Sequence, residues 1–241
     1  MKIAIYTLGC KVNQCDADAL VRELCARGHD AFHTRGFDCA ADVFIINTCT
    51  VTHTSDKKSR QMLRRAKKTN ASVMMCGCLK NSHEIKKSEN RNVPFDVDFI
   101  FDARTPQGLF DWLSRRNNAP VSATTGTRLA KTRSFIKIQD GCDRFCSYCI
   151  VPYVRGAVKS RPLAEISDEA QALIADGALE IVLTGIQAAA YGQDIPSENS
   201  EFLKLPDLIK KIAALDGLIY AVSRLCVGQF RPHFEPFFGD A

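Results

Sequence analysis

Residues 43–47, VFIIN, form a continuous apolar run that ends on an asparagine, with Thr48 and Cys49 following. A strand with one wet face alternates apolar and polar side chains. A strand of a parallel sheet covered by helices on both faces does not alternate. The run therefore predicts a central parallel strand. Working outward, Lys2–Thr7 (KIAIYT) and Ser72–Met75 predict further strands, with a shorter one at Phe99–Phe101. Helical patterns lie between them. The first starts from an Asn13 or Asp16 cap and runs to about Arg27, with Leu20, Val21 and Leu24 on one face and Gly28 as its stop. The second is a polar, basic helix from Thr52 to Lys68, and the third surrounds Pro106–Leu113. This alternation predicts an α/β fold, with an N-terminal flavodoxin-like open parallel sheet.

Residues 116–133 are polar, carry Pro and Gly and lack periodicity, so they predict a linker between a domain at 1–115 and a second at 134–241. The second domain opens with a strand at Ser134–Gln139 and a cysteine loop. A helix near Leu163–Asp176, a strand at Glu180–Thr184, a helix near Phe202–Leu215 and a strand near Leu218–Val222 follow. Its 108 residues hold about three βαβ units at roughly 30 residues or more each. A closed eight-unit barrel takes roughly 250, so a partial, incomplete β/α barrel is expected.

With 46% hydrophobic and 24% charged residues among 241, the chain has a globular composition and not a disordered one. No internal repeat is visible. The N-terminal ten residues are too short for a secretory signal, and no apolar run reaches a membrane span. A cytoplasmic protein with no membrane partner is the expectation. Charge is uneven: residues 1–127 carry 19 basic and 13 acidic side chains, the remainder 13 and 14. Seven cations fall between Lys57 and Lys68. They fit a polyanion such as RNA and, equally, a solvated helix face.

Eleven cysteines are an odd number, so disulfides could not use them all, and among reducing thiols such clusters point to metal or catalysis. Cys142-x3-Cys146-x2-Cys149 places three thiols within eight residues directly after a strand. Structural zinc normally takes four ligands, whereas a [4Fe–4S] cluster held by three cysteines keeps one iron open. Cluster binding is the preferred reading and zinc the alternative. Cys10, Cys49 and Cys78 each follow one of three successive strands, and loops beyond the carboxyl ends of parallel strands converge. They suggest a second set of three thiolates, although strand ends also simply tolerate small residues. Cys76 competes with Cys78 for this role but lies within the strand end. Cys15, Cys25, Cys39 and Cys226 have no partner pattern and read as small buried hydrophobes. His29, His33, His53, His83 and His233 are isolated from one another and are assigned no role.

Cys142-x3-Cys146-x2-Cys149 resembles the signature of the radical S-adenosylmethionine superfamily. Together with TLGCKVNQ (7–14), NTC (47–49) and GC (77–78), it resembles the methylthiotransferase family within that superfamily. Lys11-Val12-Asn13-Gln14, and Leu183–Ile186 followed by Tyr191-Gly192, most resemble the branch acting on N6-threonylcarbamoyladenosine (t6A) beside the tRNA anticodon. The resemblance implies two [4Fe–4S] clusters, S-adenosyl-L-methionine, tRNA and a reducing electron donor. Cys142, Cys146 and Cys149 would hold the cluster that binds the cofactor, with Tyr148 near its adenine and Thr184 and Gly185 near its amino group. Cys10, Cys49 and Cys78 would hold an auxiliary cluster that carries the sulfur. No further catalytic residue is assigned. Past Val222 the chain departs from the family pattern, and the family's later barrel strands and small RNA-binding β-barrel do not fit in the length. A truncated chain is expected on that ground. The rival readings are an inactive fragment of such an enzyme and a non-enzymatic module that binds metal and RNA.

Overall fold

The computed structural model describes residues 1–81, 96–116, 132–195, 204–218 and 220–223. By its contacts the chain divides into two compact units, Met1–Leu129 with Gly141–Ala157, and Ala130–Asp140 with Val158–Ala241.

The first unit carries strands β1 (Lys2–Thr7), β2 (Asp30–Thr34), β3 (Val43–Thr48), β4 (Ser72–Gly77) and β5 (Phe99–Ile100). They form one wholly parallel sheet in the order β2-β1-β3-β4-β5. This is the flavodoxin-like order, in which the direction of winding reverses between β1 and β3. Helices α1 (Lys11–Ala26), α2 (His53–Ala66) and α3 (Gln107–Arg116) cover it. The apolar run at β3 supplies both faces. Val43 and Ile45 join Ile3, Ile5, Met74 and Cys76 against Leu20 and Leu24 of α1 and Leu109 and Leu113 of α3. Phe44 and Ile46 join Ala4, Val73 and Met75 against Met62, Leu63 and Ala66 of α2. Two buried faces need apolar side chains at consecutive positions, so the run does not alternate.

Several local expectations are corrected. Neither Asn13 nor Asp16 caps α1. Cys10 occupies the N-cap with no side-chain hydrogen bond, and both polar residues are buried inside the helix. Strand β2 has no counterpart in the sequence reading, because DAFHT is an edge strand without an apolar run. Thr52 does serve α2, accepting a hydrogen bond from the Ser55 N–H at 3.1 Å.

In the second unit, β6 (Arg133–Asp140), β7 (Lys159–Ser160), β8 (Glu180–Gly185) and β9 (Tyr220–Ser223) form a sheet in the order β7-β6-β8-β9. Its three longer strands are parallel, and the short edge strand β7 runs antiparallel to β6. Ile136, Ile138, Ile181 and Leu183 pack with Ile166 and Ala170 of helix α5 (Leu163–Ala175) and with Leu208 and Ile212 of helix α6 (Leu205–Ala213). Among the described residues no closed barrel forms. A short helix, α4 (Val151–Arg155), follows the cysteine loop and belongs to the first unit. Most of the linker, Cys226, His83, His233 and the tail beyond Ser223 lie outside the described residues. No helix among the described residues is long and apolar enough to cross a membrane.

Candidate metal centre

Three neighbouring strands of the first sheet, β1, β3 and β4, each deliver a cysteine just past their carboxyl ends. Leu8 and Gly9 carry the chain from β1 to Cys10, Cys49 directly follows β3, and Cys78 directly follows β4 and opens a 3-10 turn, Cys78–Asn81. Gly9 has φ +97°, and a Cβ there would stand 2.6 Å from Cys49 Cβ and 2.8 Å from Cys49 Sγ. The first loop therefore lies directly on the second cysteine. Cys49 and Cys78 are buried and share a side-chain hydrogen bond, while Cys10 is exposed at the start of α1. Cys76 faces the α1–α3 core and is fully buried, and that burial pushes its thiol far up. The turn at Gly77 therefore sends Cys76 into the core and Cys78 toward Cys49.

The hydrogen bond from Cys78 holds the Cys49 thiol down to about 6 against the opposing effect of burial. Donating that bond, and its own burial, push the Cys78 thiol well above the usual thiol range. A metal bound through both sulfurs would take them as thiolates and release their protons. Buried Ser59 of α2 fixes the Cys49 backbone from both sides, accepting from its N–H at 3.0 Å and donating to its carbonyl at 2.8 Å.

Asn13 and Asn47 belong to the same two motifs as Cys10 and Cys49, and they bind the loops together. The Asn13 amide donates to the carbonyls of Leu8 (2.8 Å) and Thr48 (2.9 Å), and Asn47 donates to the Asn13 carbonyl at 2.8 Å. Sequence reading missed both, although their place beside the cysteines was the available signal. Gly77 has φ +89°, and a Cβ there would collide with the Thr48 carbonyl oxygen and backbone N–H. Gly77→Ala is therefore expected to lower unfolding stability by at least about 1–3 kcal/mol, the usual cost of a strained backbone position, as read by urea denaturation.

The second cysteine set lies on one loop. The Cys149 N–H donates to the Cys146 carbonyl at 2.9 Å, and the Cys142 N–H donates to the Gly156 carbonyl at 3.0 Å, which closes the loop on itself. Phe145 holds φ +44°, an uncommon conformation for a bulky residue. Cys146 is exposed, Cys142 and Cys149 are partly exposed, and Tyr148 is 90% exposed. Among the described residues, no three His, Cys, Asp or Glu side chains are already closed into a metal-binding arrangement. The donor chemistry of both sets still fits an iron–sulfur cluster: each offers three thiols, the soft donors that such a cluster takes. Thr184 is buried near the end of β8, and Gly185 closes that strand, where a Cβ would stand 2.9 Å from Gln139 Oε1.

At the end of α4, Arg155 is buried with 7% exposure. Its Nε donates to Cys78 Sγ at 3.3 Å and its Nη2 to Asn13 Oδ1, while Nη1 lies 3.5 Å from Asp16 Oδ2. A cavity of about 20 Å³ beside it, lined by Asp16, Gly77, Cys78, Asp102, Arg104 and Arg155 among others, has room for about one water. Sequence reading also missed Arg155, which lies six residues beyond Cys149.

Comparison with known proteins adds independent findings. Residues 2–102 match the family described as "Uncharacterized protein family UPF0004", and residues 136–221 match the radical SAM superfamily. The chain is 34% identical over 244 residues to the threonylcarbamoyladenosine tRNA methylthiotransferase MtaB of Bacillus subtilis, an alignment covering 94% of this chain and 51% of that protein. It is 34% identical over 207 residues to MtaB of Aquifex aeolicus, covering 80% and 50%. It is 35% identical over 234 residues to the tRNA-2-methylthio-N(6)-dimethylallyladenosine synthase of Nitratidesulfovibrio vulgaris, covering 89% and 50%. The chain thus spans about half the length of the curated relatives it matches. Among solved structures it resembles the radical S-adenosylmethionine methyltransferase TsrM from Kitasatospora setae, with a TM-score of 0.50 at 14% identity, covering 87% of this chain and 50% of that one. That likeness concerns the fold.

Proposed function

Because the chain belongs to the radical S-adenosylmethionine methylthiotransferase family, we propose that it adds a methylthio group to C2 of t6A beside the tRNA anticodon. The observation that carries this reading is the pair of three-thiol sets, one past three adjacent strand ends and one on a single loop. Cys142, Cys146 and Cys149 would hold one [4Fe–4S] cluster with S-adenosyl-L-methionine, and Cys10, Cys49 and Cys78 an auxiliary one. When bound, these groups supply a 5′-deoxyadenosyl radical, able to take hydrogen from an unactivated aromatic C–H, and the sulfur and methyl that replace it. Such a C–H offers no acidic proton to a general base, so the protein's own share is binding and orientation.

In that share, Tyr148 offers a ring for the cofactor's adenine, and Thr184 and Gly185 offer strand-end polar groups for its amino group. Asn13 and Asn47 hold the first two auxiliary loops in register, and Ser59 holds Cys49. A cytoplasmic setting with a reducing electron donor belongs to the same proposal. The t6A branch is read from Lys11–Gln14, since identity to relatives of the two adenosine branches is nearly equal, at 34% and 35%.

The α2 surface supports an RNA substrate. Lys57, Lys58, Arg64 and Arg65 are exposed on it and Lys68 is exposed just past its end, while Arg60 pairs with Asp56 at 2.6 Å and Lys67 lies 3.4 Å from Asp98. The test combines chemistry and binding. Incubated anaerobically with reductant, S-adenosyl-L-methionine and tRNA bearing t6A, the chain is expected to yield 2-methylthio-t6A on nucleoside mass spectrometry. Product from isopentenyladenosine tRNA alone would overturn the branch. Replacing Lys57, Lys58, Arg64 and Lys68 together by Ala is expected to weaken tRNA binding. Its salt dependence should flatten by roughly 0.7–0.9 log units per log unit of salt for every phosphate that is no longer neutralised.

A further inference from the structure

We propose that Arg155 is a positioning residue for the auxiliary cluster: it holds the Cys78 sulfur in place and supplies the positive charge that favours the reduced cluster. The inference rests on the reading of Cys10, Cys49 and Cys78 as ligands. The charge on Arg155 is placed where it is costly. A guanidinium buried to this degree costs several kcal/mol unless its partners compensate, and an apolar residue would fill the same space without that cost. The compensation comes from Asn13 Oδ1, Asp16 Oδ2 and Cys78 Sγ, reached by three different nitrogens of one planar group. One of these partners is fixed independently of Arg155: the Asn13 side chain is locked by its own bonds to Leu8 and Thr48. Nε is thereby aimed at the sulfur by a scaffold, as a flexible lysine ammonium could not be.

Hydrogen bonds to ligating sulfurs and nearby net charge are among the levers that set an iron–sulfur potential. Adding an electron makes a cluster more negative, so a cation and N–H donor at one ligand stabilise the reduced form. Arg155 lies six residues beyond Cys149. The segment that carries one cysteine set therefore delivers the cation to the other.

The test uses the full chain with Cys142, Cys146 and Cys149 all replaced by Ala, so that only the auxiliary site can hold a cluster. Asp16→Asn in that background is the reference, and adding Arg155→Gln leaves no buried carboxylate unpaired. Relative to the reference, Arg155→Gln is expected to shift the reduction equilibrium about tenfold toward the oxidised cluster, 59 mV lower for a one-electron couple. A changed electron paramagnetic resonance signal should accompany the shift. Arg155→Lys, with Asp16 intact, is expected to fall between parent and Gln variant. Equal potentials in the reference and the Gln variant overturn the proposal, as does disappearance of iron from both Arg155 variants while three ligands remain. A parent that holds no iron overturns the auxiliary-cluster reading itself, and this inference with it.

Discussion

Anaerobic reconstitution of the chain is expected to bind about eight iron and eight sulfide, two [4Fe–4S] clusters' worth, and Cys142→Ala is expected to lose about half. The same substitution should abolish release of 5′-deoxyadenosine from S-adenosyl-L-methionine under dithionite. The loop explains so large an effect from one atom. Cys142, Cys146 and Cys149 sit on a segment closed by the Cys142 N–H to Gly156 carbonyl bond, so no fourth thiol of this segment can stand in. Cys146 is already exposed and the other two partly so, which leaves the site open to iron and to cofactor. A preparation that holds only zinc, at about one ion per thiol set, would overturn the cluster reading. Full deoxyadenosine release from Cys142→Ala would overturn the ligand assignment.

Cys49→Ala and Cys78→Ala should produce the complementary result. About half the iron should again be lost, but deoxyadenosine release should persist while methylthiolated nucleoside falls below detection. Cys76→Ala is the decisive companion. Its sulfur is fully buried against Ile3, Ile45 and Leu109, so the variant is expected to keep its full iron and lose only packing stability, on the order of 1 kcal/mol per methylene-sized group removed. Iron content and urea midpoint, measured on the same samples, separate the two cysteines. Iron loss from Cys76→Ala with retention in Cys78→Ala would reverse the assignment.

The two results differ in kind because the two thiol sets are built differently. One is consecutive in sequence, and its spacing is visible without any fold. The other exists only because β1, β3 and β4 are neighbours and parallel, so that their carboxyl ends meet. The sequence pointed to that meeting through the position of each cysteine after an apolar run. It left Cys76 and Cys78 in competition because they differ by two positions across a glycine, and only the φ +89° turn at Gly77 shows which side chain leaves the core. The expected caps of α1 were misread for a related reason. Asn and Asp near a helix start usually serve the helix's own first N–H groups, but here Asn13 bonds to carbonyls of two other loops and Asp16 faces Arg155. Tertiary partners override local preference when they are buried and charged.

By itself the sequence determined the longer parallel strands, the two-faced sheet and the three-thiol loop, because periodicity and spacing are local properties that a chain carries before it folds. Edge strands β2 and β7 escaped it, since an edge needs no apolar run. The tertiary structure alone decided the partners of the auxiliary thiols: Ser59 on Cys49, Asn13 between two loops, and Arg155 on Cys78. Arg155 and Asn13 are 142 residues apart. No pattern within a window of sequence encodes an interaction at that separation. It arises when burial brings a guanidinium, an amide and a sulfur together and leaves each dependent on the others for its hydrogen bonds.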